Sequence, residues 1–120
     1  MNRAERGARS YQAGLAAEDI AAKQYQSRGG AILARRWRCP AGEIDLIVRL
    51  TECIVFAEVK HRKNLVDQDP VSPKQWRRLE AAAETYILRA ETGQIPLRFD
   101  LVIVDRTGAA TIYENARETE

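Results

Sequence analysis

Apolar residues recur at helical spacing in two parts of the chain and alternate with polar residues between them. The first helical pattern predicts a helix from about Ala4 to Arg28, ended by Gly29-Gly30. Its inward stripe is expected to contain Ala4, Ala8, Tyr11, Leu15, Ala22 and Tyr25, with Glu18 among them. The second helix is predicted from the N-cap Ser72 and Pro73 to its close at Gly93, with Gln75 completing a capping box. Its buried stripe is expected to contain Trp76, Leu79, Ala83, Tyr86, Ile87 and Ala90.

The alternating stretches predict five strands. They are Ala31–Arg38, Glu43–Leu50, Cys53–His61, Leu97–Asp105 and Ala109–Tyr113. A helix that crosses over between the third and fourth strands favours a parallel pair there. The pattern therefore predicts one α/β domain over residues 1–120, in the order α-β-β-β-α-β-β, with a mixed central sheet flanked by helices. The tail 114–120 is expected to fray.

Composition adds little to this picture except through the distribution of charge. The 120 residues are 45% hydrophobic and 30% charged, as in soluble proteins, and no apolar run is long enough to cross a membrane. Cys39 and Cys53 lie apart without a CxxC motif, which favours a reducing, cytoplasmic setting. The overall net charge is +2, but residues 1–78 carry 15 basic against 9 acidic residues. The predicted central strands therefore lie in the basic part.

Two predicted strands, the second and the third, carry charges at alternating positions of otherwise apolar sequence. Ile44, Leu46 and Val48 are expected on the apolar face of the second strand. If the strands form a hairpin with a two- or four-residue loop, Asp45 falls opposite Glu58, and Glu43 falls opposite Lys60. Directly opposed like charges are destabilising.

A proton or a cation would relieve the opposition of Asp45 and Glu58. A hard divalent cation such as Mg²⁺, which takes one or two carboxylates, is the natural candidate. Lys60 would orient a metal-bound water or neutralise developing negative charge. Glu18 would approach from the first helix as a further carboxylate. The simpler alternative is a solvated polar face, with Lys60 paired to Glu43 and Glu18 reaching out to water.

Basic residues lie near this hairpin in the sequence. Arg36 and Arg38 form the basic end of the first strand, and Arg62 and Lys63 follow the third. Lys74, Arg77 and Arg78 lie in the first turns of the second helix. They are interpreted either as a solvated helix face or as a phosphate-binding edge. Asp100 is expected to bond a turn or a helix cap, and His61 to be exposed.

Asp45 and the sequence Glu58-x-Lys60, with Glu18 on a preceding helix, resemble the PD-(D/E)xK nuclease superfamily. More closely, GLAAE at 14–18, GEIDLI at 42–47, VFAEVKHR at 55–62 and SPKQWRRL at 72–79 resemble the YraN family of bacterial proteins. That resemblance spans about residues 10–115. Ile44 stands where the superfamily motif has proline. Gln75 is similar to a glutamine on the second helix of some of these nucleases.

The resemblance implies a restriction-endonuclease-like core, near archaeal Holliday junction resolvases. It implies Glu18, Asp45, Glu58 and the backbone carbonyl of Val59 as ligands of Mg²⁺ or Mn²⁺, with Lys60 as the catalytic lysine. The expected activity is metal-dependent endonuclease cleavage of DNA, in repair or recombination. Junction cleavage would favour a homodimer. The alternatives are a nucleic-acid-binding module with weak or no catalysis and, last, a protein-binding scaffold.

Overall fold

The computed structural model describes residues 2–62 and 71–117, without the side chains of residues 5–10. Helix α1 spans Arg3–Ser27 and helix α2 spans Pro73–Ala90. The five strands are β1 (Ala31–Cys39), β2 (Gly42–Arg49), β3 (Ile54–His61), β4 (Leu97–Val104) and β5 (Ala110–Tyr113). The predicted order α-β-β-β-α-β-β is confirmed, with strand ends displaced by one residue in places.

The strands form one mixed sheet in the order β1-β2-β3-β4-β5. The β3–β4 pair is parallel, as predicted, because α2 carries the chain back to the other end of the sheet. The remaining neighbours are antiparallel. This arrangement is consistent with a restriction-endonuclease-like core.

Each helix covers one face of the sheet with its own apolar cluster. Small residues of α1, namely Ala17, Ala21 and Ala22, are buried with Tyr25 against the sheet. On the other face, α2 contributes Trp76, Leu79, Ala82 and Ala83. The α1 layer is built mostly from alanine, so that helix approaches the strands closely. Neither helix, within the ranges described, is long and apolar enough to cross a bilayer.

The inward stripe predicted for α1 is only partly correct. Ala4 and Tyr11 are exposed, the side chain of Ala8 lies outside those described, and among the described side chains of α1 the buried positions begin at Ala17. A helix of 25 residues is about 37 Å long, whereas an eight-residue strand spans about 26 Å. The sheet is therefore too short to lie beneath the whole length of α1.

The ends of α2 differ in how well the sequence predicted them. Ser72 caps the first turn as expected, and Gln75 completes the capping box. At the other end Glu91, with a left-handed φ of 52°, is the C-cap in place of the predicted Gly93. Ala90, predicted to be buried, is exposed beside this cap.

A buried polar network joins the C-terminal segment to the sheet and to α1. Asp100 is fully buried and accepts hydrogen bonds from Tyr25, from both ends of the Arg98 guanidinium and from the Asn115 N–H. The Ala116 N–H donates to the carbonyl of Phe99 at 2.9 Å. Residues 114–117 accordingly form a turn rather than the frayed segment expected there, and 118–120 lie outside the described residues.

Candidate active site

The hairpin of β2 and β3 has the predicted register. Four pairs run from Leu46–Ala57 to Arg49–Ile54, and every pair fits the register that places Asp45 opposite Glu58. Four residues, Leu50–Cys53, lie between the two strands, and the Leu50 N–H donates to the Cys53 carbonyl across Thr51 and Glu52. The regular pairing ends one position before Asp45 and Glu58, so the two acidic residues lie where the strands separate.

The Asp45 carboxylate bonds to the neighbouring strand at this point. Its Oδ2 accepts a hydrogen bond from the Val59 N–H at 2.8 Å. This bond satisfies a backbone donor of β3 where the β2–β3 pairing has ended. The carboxylate is therefore fixed between the two strands rather than standing free on one face.

The alternation of β2 is broken at the same residue. Ile44 packs in the cluster beneath α2, with Ile47, whereas Leu46 packs beneath α1. The predicted apolar face containing Ile44, Leu46 and Val48 is thus wrong at Ile44. The reason lies in β1, where Arg36 opposite Asp45 has a left-handed φ of 51° and neither residue joins the ladder.

The surroundings of Asp45 disfavour its ionisation. Its pKa is raised to about 7, first by burial and then by the charge of Glu58. The hydrogen bond from the Val59 N–H opposes this rise, while the charges of Glu18 and Glu43 add to it. Three other carboxylates thus lie close enough to Asp45 for their charges to act on it.

Glu58 and Lys60 form an ion pair at the edge of the cluster. Lys60 Nζ lies 3.1 Å from Glu58 Oε2, and both side chains are about one-fifth exposed, at 19% and 20%. Glu43 instead pairs with Arg38. The alternative in which Lys60 pairs with Glu43 is therefore not the one the structure adopts.

Glu18 is buried, with 7% of its surface exposed, so it does not reach out to water. Its carboxylate accepts two hydrogen bonds from Arg36, at 2.8 and 3.2 Å. Among the described residues, no group of three or more acidic, histidine or cysteine side chains is arranged to hold a metal. The predicted three-carboxylate set is therefore not assembled in this conformation.

The remaining pair, Asp45 and Glu58, fits a divalent cation in the chemistry of its donors. Both offer hard oxygen atoms, and Asp45 carries a charge that its site disfavours until a cation offsets it. Magnesium often uses only one or two carboxylates and completes its shell with water and phosphate oxygens. Asp45 and Glu58 thus offer oxygen donors of the kind that Mg²⁺ prefers.

A cavity of about 180 Å³ opens beside Glu58, between the start of β2 and the start of α2. Its polar lining consists of Glu43, Glu58, Gln75 and Arg78. Gln75 lines this cavity and also completes the cap of α2 through its backbone N–H and its side-chain oxygen. Its position therefore fits both a capping role and the resemblance to the glutamine on the second helix of some nucleases.

The predicted basic residues divide into those beside the cavity and those elsewhere. Lys74, Arg77 and Arg78 are exposed at the beginning of α2, and Arg78 lines the cavity. Arg38, at the end of β1, is exposed and pairs with Glu43, which lines the cavity at the start of β2. Arg62 follows β3 and donates to the His61 carbonyl, whereas Lys63 lies outside the described residues. Arg36 is turned toward Glu18 on the opposite face.

Comparison with known proteins gives a consistent family assignment. The model of the uncharacterised protein family UPF0102 matches residues 17–104. A UPF0102 protein of Ruegeria pomeroyi is 42% identical over 115 residues, covering 94% of each chain. A second, from Roseobacter denitrificans, is 40% identical over 95% of this chain and 90% of its own. A third, from Azorhizobium caulinodans, is 41% identical over 89% of this chain and 83% of its own.

The chain belongs to the UPF0102 family. This is the YraN family that the sequence motifs resembled, so that prediction is confirmed. The matched region of the UPF0102 chain contains Glu18, Asp45, Glu58, Lys60 and the whole of α2.

Sequence reasoning placed the acidic residues of this UPF0102 protein near one another but missed the pairing of Glu18 with Arg36. Arg36 was assigned to the nucleic-acid surface because it lies in an arginine-rich strand end. Its left-handed backbone turns it out of the strand alternation, and no periodic pattern signals that conformation.

Proposed function

We propose that this UPF0102 protein is a metal-dependent endonuclease that hydrolyses phosphodiester bonds in DNA, with Mg²⁺ or Mn²⁺ as its cofactor. The observation that carries the proposal is the pair of carboxylates, Asp45 and Glu58, where β2 and β3 separate, with Lys60 3.1 Å from Glu58. The resemblance of Asp45 and Glu58-x-Lys60 to the PD-(D/E)xK nucleases supports the same conclusion.

Asp45 and Glu58 would hold the cation, joined by the Val59 carbonyl and by Glu18 if Arg36 releases it. When bound, the cation would lower the pKa of a coordinated water and offset charge on the scissile phosphate. The Val59 N–H orients the Asp45 carboxylate through its hydrogen bond. Lys60 stabilises the negative charge that develops on the phosphate, since its ammonium lies at the edge of the same cluster.

The basic residues around the cavity would hold the nucleic-acid backbone. Arg78 lines the cavity beside Glu58, Lys74 and Arg77 are exposed in the same turns of α2, and Arg38 pairs with Glu43 of the cavity lining. Arginine matches phosphate geometry with two parallel hydrogen bonds. Arg62, which follows β3, would extend this surface, and the N-terminus of α2 adds backbone N–H groups.

A cleavage screen tests the proposal. The purified chain is incubated with single-stranded, duplex, flap and four-way DNA in Mg²⁺ or Mn²⁺, with EDTA as the metal-free control. Lys60→Ala and Asp45→Asn should abolish cleavage, whereas Lys23→Ala, on the exposed face of α1, should retain it. Cleavage that survives both site substitutions would refute the assignment of these residues.

One observation favours a second candidate, a nucleic-acid-binding module without appreciable catalysis. Two of the predicted metal ligands are already neutralised by protein cations, Glu18 by Arg36 and Glu58 by Lys60. For such a module, DNA affinity should fall steeply with salt and should survive Asp45→Asn, and no substrate should be cut. Binding of no nucleic acid at low salt would remove both candidates and leave the scaffold alternative.

A further inference from the structure

Apolar side chains are exposed where the last turn of α2 lies beside the start of β4. Leu88 of α2 is 78% exposed, and Leu97 of β4 is 40% exposed. Together with Ile87 and Glu84 they line a cavity of about 320 Å³. A second cavity, of about 220 Å³, shares Leu97 with the first and is also lined by Phe99. The two cavities form one depression, the α2–β4 groove, and exposed apolar surface of this kind is typical of protein-binding sites.

The charges at the α2–β4 groove are mainly negative. Glu84 is exposed in the groove lining and forms no ion pair within the part of the chain that the structure describes. Glu91, the exposed C-cap of α2, follows Leu88 by three residues. The neighbouring Arg89 does not offset these carboxylates, because its guanidinium lies over the Trp37 ring, 5.7 Å from the ring centroid. The apolar surface is therefore bordered by acidic side chains.

This distribution of charge restricts what can cover the groove. Arg117 lines the second cavity, but it is matched by Glu80 at 3.4 Å. Residues 79–120 as a whole carry 8 acidic and 4 basic residues. Nucleic acid is disfavoured because its phosphates would be repelled, and a second copy docked through the same groove would bring two Glu84 carboxylates together. A partner with apolar and positively charged side chains complements the groove in both respects.

The backbone at the groove favours a partner that contacts side chains. The Pro96 carbonyl accepts a hydrogen bond from the Ile54 N–H at 3.0 Å, and the Phe99 carbonyl accepts one from the Ala116 N–H at 2.9 Å. These acceptors on either side of Leu97 are therefore already satisfied. An added strand would need free backbone groups, whereas an amphipathic helix binds a groove through its apolar side chains.

We propose that the α2–β4 groove binds an amphipathic, positively charged helix of a partner protein. Apolar side chains of that helix fill the space around Leu88 and Leu97, and its Lys or Arg side chains face Glu84 and Glu91. Arg78, which lines the cavity beside Glu58, precedes Leu88 by about 15 Å along α2. The groove is thus separate from the candidate active site, and both can be occupied at once.

The test is the affinity of the full chain for a fluorescent peptide of leucine and lysine, about four helical turns long, with leucine at helical spacing. A second peptide has glutamate in place of every lysine. Fluorescence anisotropy measures both affinities without metal or nucleic acid, so the result does not depend on the proposed nuclease activity. The native chain should bind the lysine peptide about tenfold more tightly than the glutamate peptide.

Three variants locate the binding site. Leu88→Gln removes the exposed apolar contact and should weaken binding of the lysine peptide about tenfold. Leu33→Gln is the matched control, because Leu33 is 43% exposed on β1, at the far edge of the sheet, and it should leave binding unchanged. Glu84→Lys should weaken binding of the lysine peptide and strengthen binding of the glutamate peptide. Circular dichroism verifies that each variant is folded.

Each outcome supports or overturns the proposal. No binding of the lysine peptide, or equal binding by the native chain and Leu88→Gln, would overturn it, and equal affinity for the two peptides would overturn the argument from charge. Sedimentation of the native chain alone tests a second copy as the occupant. A dimer that Leu88→Gln converts to a monomer would assign the groove to self-association and overturn the proposal, as would duplex DNA whose binding Leu88→Gln weakens.

Discussion

Replacing Asp45 with asparagine should stabilise the metal-free protein while removing its proposed function. Asparagine has nearly the same shape, and its side-chain oxygen can accept the Val59 N–H in place of Asp45 Oδ2. The substitution removes a partly buried charge and its repulsion by Glu58. Asp45 is therefore expected to reduce stability in the absence of a cation.

The size of the effect follows from the pKa of Asp45. Between the ordinary 3.8 and about 7 in the folded chain, the difference corresponds to about 4 kcal/mol. Because the folded state has the higher pKa, it holds the proton more tightly than the unfolded state does. The stability that this proton contributes is fully present below about pH 4 and is lost as pH rises through about 7.

The Asp45→Asn variant has no titrating group at this position, so it does not lose this stability as the pH rises. Its free energy of unfolding should exceed that of the native chain by at most about 4 kcal/mol at pH 8. At pH 5 the native Asp45 is largely protonated in the folded state, so the difference should be less than half as large. Groups remote from Asp45 titrate alike in both proteins, and their effects cancel in the comparison.

Urea unfolding in EDTA at pH 5 and pH 8, for both proteins, measures the difference. Asp105→Asn serves as a control of opposite sign, because hydrogen bonds from Thr107 lower the Asp105 pKa, so this variant should be less stable at pH 8. Adding Mg²⁺ at pH 8 should stabilise the native chain and not the Asp45→Asn variant. An Asp45→Asn variant no more stable than the native chain at pH 8 would refute the account of this carboxylate.

Three further substitutions test the fold that supports the site, each by urea unfolding at pH 7. Arg98→Met should cost about 3–5 kcal/mol, because it leaves the fully buried Asp100 without its cation; a cost below about 1 kcal/mol would contradict this. Ser72→Ala should cost about 1 kcal/mol, since it removes the acceptor of the Gln75 N–H, and an unchanged midpoint would argue against the cap. Gly30→Ala should cost about 1–3 kcal/mol, because the added methyl would lie 2.9 Å from a backbone carbonyl of α1. A Gly30→Ala variant as stable as the native chain would show that this junction can relax.

The order of elements and the central register could be predicted because both depend on local patterns. Helical spacing located both helices, and the capping box at Ser72 fixed the start of α2. The hairpin register needed only an even number of loop residues, so Asp45 and Glu58 were placed near each other before the loop length was known. Family membership followed from the same motifs.

The predictions from sequence are wrong where backbone conformation or tertiary packing overrides the periodic pattern of apolar residues. Arg36 adopts a left-handed conformation in the middle of a strand, which moves Ile44 to the other face and brings the guanidinium to Glu18. Glu91 takes the left-handed C-cap although Gly93 follows two residues later. The exposure of Ala4 and Tyr11 reflects helix length relative to the sheet, which a stripe of apolar residues cannot reveal. Each is a long-range or backbone effect without a periodic signal.

The central claim is that Asp45 and Glu58 form the metal site of a DNA-cleaving enzyme. Its most direct measurement is the Mg²⁺-dependent rate of cleavage of labelled flap and four-way DNA by the native chain and by Asp45→Asn at pH 8. The native chain should cleave these substrates and the variant should not, although the variant is expected to be the more stable protein. Equal cleavage by both proteins, or no cleavage of any substrate by the native chain, would contradict it.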